Sequence, residues 1–242
     1  MALTFQSSIS IAADQPDIDE IIDKLDKLFR SDTSWSRFEM RIETPEWQRT
    51  LKMEGWSEGL DKTLIRILSP KKESGTATLR IDNEMWNYFP KINKVMKVPP
   101  SMMMGSWMGS DFTNDDIVKE SSMKKDYTAT LIEPEGAEKG YYYAEFIPRE
   151  NSPIVWGRIV VKGRKKDYIP VREEFYDEKG TLMRIMELKD IKPLGGKTIP
   201  AVMELIPLNK EGHRTIVTYT DAVFDQKLSP DIFTLRNLQK RK

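Results

Sequence analysis

Residues 35–42 read Trp35-Ser36-Arg37-Phe38-Glu39-Met40-Arg41-Ile42, and from Phe38 onward apolar and charged side chains alternate one for one. In an extended chain successive side chains point to opposite faces, so this period of two describes a strand with one buried and one wet face. The same texture continues at 47–56, 62–68, 76–81 and 85–89. Turn residues separate these runs: Thr44-Pro45, Glu58-Gly59-Leu60-Asp61, the stretch 69–75 and Asp82-Asn83. Short strands with short connections predict an antiparallel meander. After a break at 99–124 the strands resume at 127–132, 141–147, 156–161, 169–176, 182–191, 197–208 and 214–223. Eleven or twelve strands exceed what a flat sheet accommodates easily, so the expected architecture is an open antiparallel half-barrel, mainly β with a few helices.

Composition narrows the function. The 242 residues carry 38 basic and 38 acidic side chains, for a net charge of zero and a sequence pI near 6.7. A nucleic-acid-binding domain would show a basic excess. There is no cysteine, which excludes disulfides, zinc–thiolate sites and thiol nucleophiles. The single histidine, His213, lies in a turn, and no nucleophile elbow, phosphate loop or dinucleotide fingerprint occurs. Glu173 and Glu174 are adjacent in a strand and point to opposite faces, so they cannot form a facing catalytic pair. Asp115 and Asp116 read as the acidic first turn of a helix. The basic run Lys162-Gly163-Arg164-Lys165-Lys166 reads as a solvated turn. The expectation is a non-enzyme with no catalytic residue, no metal and no cofactor.

No apolar run approaches the ~20 residues of a membrane-spanning helix. Residues 1–16 read as a signal-peptide remnant or disordered leader, with Ala12-Ala13 before the polar sequence, and residues 17–242 as a single domain. Within that domain, 17–30 predicts the clearest helix. Ile18, Ile21, Ile22 and Leu25 recur at helical spacing behind an Asp17 cap, and such a stripe must cover something apolar.

The segment 99–124 is expected to be a loop with one or two short helices, one of them capped by Thr113 with Asp116 three residues on. Its Met102, Met103, Met104, Trp107, Met108 and Phe112 cannot all face one local core. Either they form a binding surface, since methionine adapts to varied apolar partners, or the segment plugs the end of the barrel core. With Trp86, Tyr88 and Trp156 on strands, these residues are the candidate ligand-binding set. The glycines at 105 and 109 would let such a flap move.

Three blocks carry a resemblance: Trp86-Asn87-Tyr88-Phe89-Pro90, Met96-Lys97-Val98-Pro99-Pro100, and the run from Ser101 to Asp116. They resemble the outer-membrane lipoprotein-sorting protein family, similar to the periplasmic lipoprotein carrier LolA and its receptor LolB. The resemblance covers nearly the whole chain. It implies an incomplete antiparallel barrel, closed by helices over an apolar cavity for acyl chains. It further implies an exported, periplasmic protein that carries a lipid or lipidated protein toward the outer membrane. Its partners would be an inner-membrane transporter and an outer-membrane acceptor. An alternative within the same fold is an envelope sensor module that binds a partner protein.

Overall fold

The structure, a computed structural model, describes residues 16–29, 31–118, 123–150, 152 and 155–240. The leader at 1–15 and residue 30 lie outside the described residues. The strands are β1 (Thr33–Glu43), β2 (Gln48–Glu58), β3 (Lys62–Ser69), β4 (Ala77–Ile81), β5 (Glu84–Phe89), β6 (Lys94–Lys97) and β7 (Tyr127–Ile132), then β8 (Tyr141–Pro148), β9 (Arg158–Arg164), β10 (Pro170–Tyr176), β11 (Leu182–Leu194), β12 (Lys197–Pro207) and β13 (Arg214–Phe224). All 13 belong to one sheet, in the order β6-β5-β4-β3-β2-β1-β13-β12-β11-β10-β9-β8-β7.

The count corrects the expected eleven or twelve. The addition is β6, four residues on the sheet edge with little burial, pairing Trp86 with Lys97 and Tyr88 with Val95. A short edge strand buries no face and so leaves no alternating signature. Every neighbouring pair is antiparallel.

The topology has one long-range closure. β1 pairs with β13 in register from Ser34↔Phe224 to Glu43↔Arg214, with an irregularity at Arg37/Phe38. The two halves of the meander therefore meet in the middle of the sheet. Consecutive strands β6 and β7 consequently end up on opposite edges. The chain between Lys97 and Tyr127 must connect one edge to the other.

α1 (Ile18–Lys27) begins at Asp17, whose carboxylate accepts the N–H of Asp19 at 2.8 Å. It ends short of the expected residue 30. Ile21 and Ile22 are buried, and Phe29 just beyond the helix stacks on Tyr219 of β13 at 5.5 Å. Among the described residues three further α-helices are short: α2 (Asn114–Val118), α3 (Met123–Asp126) and α4 (Leu235–Leu238).

The sheet has two differently used faces. On the inner face, Met40, Leu51, Met53 and Ile67 form one cluster, and Tyr127, Phe146, Val161 and Leu188 form another. Phe112 of the crossover and Met203 of β12 pack against both. On the outer face, Leu64, Leu79 and Tyr88 form a third cluster, covered by Phe233 and Leu238 of the C-terminal tail. One close approach explains a glycine: Gly163 lies opposite Tyr142 in register, and a Cβ there would sit 2.3 Å from the tyrosine ring. The ring fills the space that the missing side chain leaves.

Candidate functional site

The crossover is fastened to the inner face at four points along the sheet. Its Trp107 indole donates to Thr78 Oγ1 of β4 at 3.1 Å. Arg49 of β2 donates to the carbonyl of Met108 at 2.8 Å and pairs with Glu73 at 3.0 Å. Asp111 accepts the hydroxyl of Thr215 on β13 at 2.8 Å, and the Asp111 N–H donates back to the same oxygen at 3.0 Å. Asp116 receives both terminal nitrogens of Arg184 on β11, at 2.8 and 2.7 Å. The path therefore runs β4, β2, β13, β11, across the face. Gly109 serves a turn here: it follows Met108, and both have left-handed φ, +77° and 52°.

α2 starts with a reciprocal capping box. Thr113 Oγ1 accepts the N–H of Asp116 at 3.0 Å, and Asp116 accepts the N–H of Thr113 at 2.7 Å. The same carboxylate binds Arg184. The guanidinium carbon of Arg184 lies 4.4 Å from the ring centroids of both Trp156 and Phe175, so this ion pair is framed by aromatics. Burial opposes ionisation of Asp116, but the Arg184 charge and hydrogen bonds, with Thr113, hold its carboxyl below the usual carboxylate range.

Between crossover and sheet lies a cavity of about 350 Å³. Its walls come from both wings of the sheet. Ile65 of β3 and Phe38 of β1 line one side, and Tyr127 of β7, Ile159 of β9, Phe175 of β10 and Met186 of β11 line the other. Leu25 and Phe29 reach in at the end of the α1 segment, and Trp107, Phe112 and Ile117 from the crossover. β3 and β7 stand nine strand spacings apart, which is ~43 Å in a flat sheet. One cavity can be lined by both only if the sheet curls. Its size falls within the range of about 300–1,000 Å³ usual for small-molecule sites.

The expected site residues divide. Trp107, Phe112, Trp156 and Leu25 line the cavity. Met103 and Met108 pack against the inner-face cluster around Met40 and Leu51, and Ile18, Ile21 and Ile22 belong to the cluster around Tyr127 and Phe146. Met102 and Met104 face outward, 58% and 55% exposed. Trp86 and Tyr88 are on the other side of the sheet. They pair in register with Leu79 and Ala77, whose side chains join the outer-face cluster. They share a face, as expected, but it is not the cavity face.

Glu173 and Arg184 are cavity residues of opposite charge, and neither is among the expected binding groups. The signal was present: Glu173 shares the phase of inward-facing Phe175 two residues on, so it points inward while Glu174 bonds outer-face Arg172 and Tyr176. Burial pushes the Glu173 carboxyl up to about 7, against a smaller downward pull from Arg184. A raised carboxyl favours the fold while protonated, so native stability falls as pH rises from about 4.5 to about 7. Glu173→Gln is therefore expected to stabilise the protein by up to about 3 kcal/mol above pH 7 and by little at pH 4. Urea midpoints at the two pH values check this. An equal effect at both would mean the charge is not the cause.

Among the described residues no helix is long and apolar enough to cross a membrane, and no group of His, Cys, Asp and Glu is arranged to hold a metal ion. A family model described only as an uncharacterized protein matches residues 59–240. No curated protein matches the sequence. Solved structures do match in fold. A DUF1329 family protein from Desulfovibrio piger superposes with a TM-score of 0.80 at 23% identity, covering 90% of this chain and 96% of its own. A domain from Vibrio parahaemolyticus, described as outer membrane lipoprotein-sorting, gives 0.77 at 22%, covering 92% and 97%. A LolA superfamily protein from Nitrosomonas europaea gives 0.75 at 20%, covering 90% and 98%. The chain thus belongs to the family whose model it matches over residues 59–240, and its fold is the LolA-like fold of the lipoprotein-sorting proteins.

Proposed function

We propose that the protein is a periplasmic carrier that shelters the acyl chains of a lipid or lipidated protein, in one domain comprising residues 17–242, and delivers them toward the outer membrane. The observation that carries this reading is the apolar cavity between the curled sheet and the crossover. An acyl chain gains about 0.8 kcal/mol per buried CH₂, so burial against the apolar lining supplies the affinity and no nucleophile is required. In this reading the crossover and α1 form the lid. The exposed Met102 and Met104 are the part of the lid that meets the cargo or the membrane-bound proteins that hand it over. The lipoprotein-sorting description of the Vibrio relative is consistent with this role.

The test is uptake of a fluorescent fatty-acyl probe, with native mass spectrometry of protein purified from its own envelope. Ser36 lines the cavity with a small side chain. Ser36→Trp should fill the space and abolish uptake. Trp86→Ala, on the outer face, should leave uptake unchanged. Wild-type protein that takes up no probe, but captures one stoichiometric protein from envelope extract, would replace the carrier with the sensor module.

A further inference from the structure

A purely apolar carrier has no need of an ionisable carboxyl in its cavity wall, yet Glu173 stands there. Among the described residues its carboxyl accepts no hydrogen bond, whereas its neighbours Arg172 and Glu174 bond each other at 2.9 Å on the opposite face. The ion pair beside it is already closed. Arg184 of β11 is the cationic lining residue, and both of its terminal nitrogens are committed to Asp116. Its buried Nε remains without a partner. Asp115 and Asp116 of the crossover and Asp26 of α1 line the same cavity, and the Tyr142 phenol of β8 lies close enough to feel the Glu173 charge. Arg184 and Asp116 thus offset each other, which leaves the Glu173 carboxyl as an acceptor open to the cavity. In so apolar a setting an anion brought into the cavity is repelled, and a cationic donor gains a partner.

We infer that the cavity selects amphiphiles whose polar end is a cationic hydrogen-bond donor of the alkylammonium type, with Glu173 accepting its N–H, and rejects fatty carboxylates. This rests on the acyl-binding reading above and adds the polar end of the ligand to it. The raised Glu173 carboxyl agrees with a group awaiting a partner. It also makes the selectivity weaken on the acid side of neutrality, where Glu173 is protonated before the ammonium changes.

The experiment is displacement of a fluorescent apolar probe by dodecylammonium, dodecanol and dodecanoate, from wild type and Glu173→Gln, at about pH 8 and about pH 6. Wild type at the higher pH is expected to prefer dodecylammonium over dodecanoate by about tenfold or more. The preference should shrink several-fold at the lower pH and in Glu173→Gln. An unchanged circular-dichroism spectrum and a cooperative urea transition certify that the variant is folded. Equal affinity of wild type for the ammonium and the carboxylate would overturn the inference and leave the acyl cavity standing. Failure of all three ligands to bind wild type would overturn both.

Discussion

Arg184→Ala is expected to destabilise the protein by about 3–5 kcal/mol, because it strands the buried carboxylate of Asp116 without its partner. The Arg184 side chain is 9% exposed and that of Asp116 16%. Both terminal nitrogens of the arginine are spent on this one carboxylate. The substitution also removes the guanidinium packed between Trp156 and Phe175. For a chain of this length such a loss lowers the melting temperature by roughly 10 °C. The effect has a sign in pH. Asp116 is held below the ordinary range in the native state, so its contribution is present above the unfolded value of 3.8 and lost as pH falls through the lower folded value. Arg184→Ala should therefore cost most near neutrality and least in acid. Replacing both partners, as Asp116→Leu with Arg184→Met, should cost much less than either single change, since well-packed apolar substitutes avoid an uncompensated charge. Urea unfolding of the three variants at neutral and acidic pH decides the matter. A loss below about 1 kcal/mol for Arg184→Ala would mean that the pair is effectively solvated.

Trp107→Ala should cost about as much, 3–5 kcal/mol by the usual toll of deleting a buried large aromatic. Trp107 is 3% exposed and packs within the cluster that contains Met40, Leu51 and Met53. Its indole N–H also satisfies Thr78 Oγ1, itself donating to Asn87 at 2.7 Å. Trp107→Phe keeps most of the packing and drops the hydrogen bond, so about 1–2 kcal/mol is expected for it. The alanine variant should also loosen the crossover locally. Faster amide exchange and proteolysis within 98–118, with the meander still protected, would show that. If the variant unfolds only globally, the crossover is part of the core rather than a separately opening lid.

These two residues show where sequence periodicity stops being informative. Alternation from Phe38 to Ile42, the Asp17 cap of α1 and the Thr113–Asp116 capping box are local matters. They depend on side-chain direction and hydrogen bonds over a few residues, and each is present in the structure. Phase, however, does not say which face is inside. Trp86 and Tyr88 share a face as their spacing demands, but that face packs under the C-terminal tail and away from the cavity. The choice depended on residues some 150 positions away in the chain, Phe233 and Leu238.

What the sequence alone determined is the strand-rich meander, the amphipathic first helix, the exclusion of thiol chemistry, and the place where the meander breaks. Those follow from steric periodicity, capping and composition. Only the tertiary structure decided the rest. Pairing of β1 with β13 puts β6 and β7 on opposite edges, and residues 107–116 run across the inner face between them. That crossing brings Asp116 to Arg184, 68 residues away, and sets Glu173 against the cavity. Register between distant strands is a cooperative property of the whole sheet, so no local window of residues encodes it.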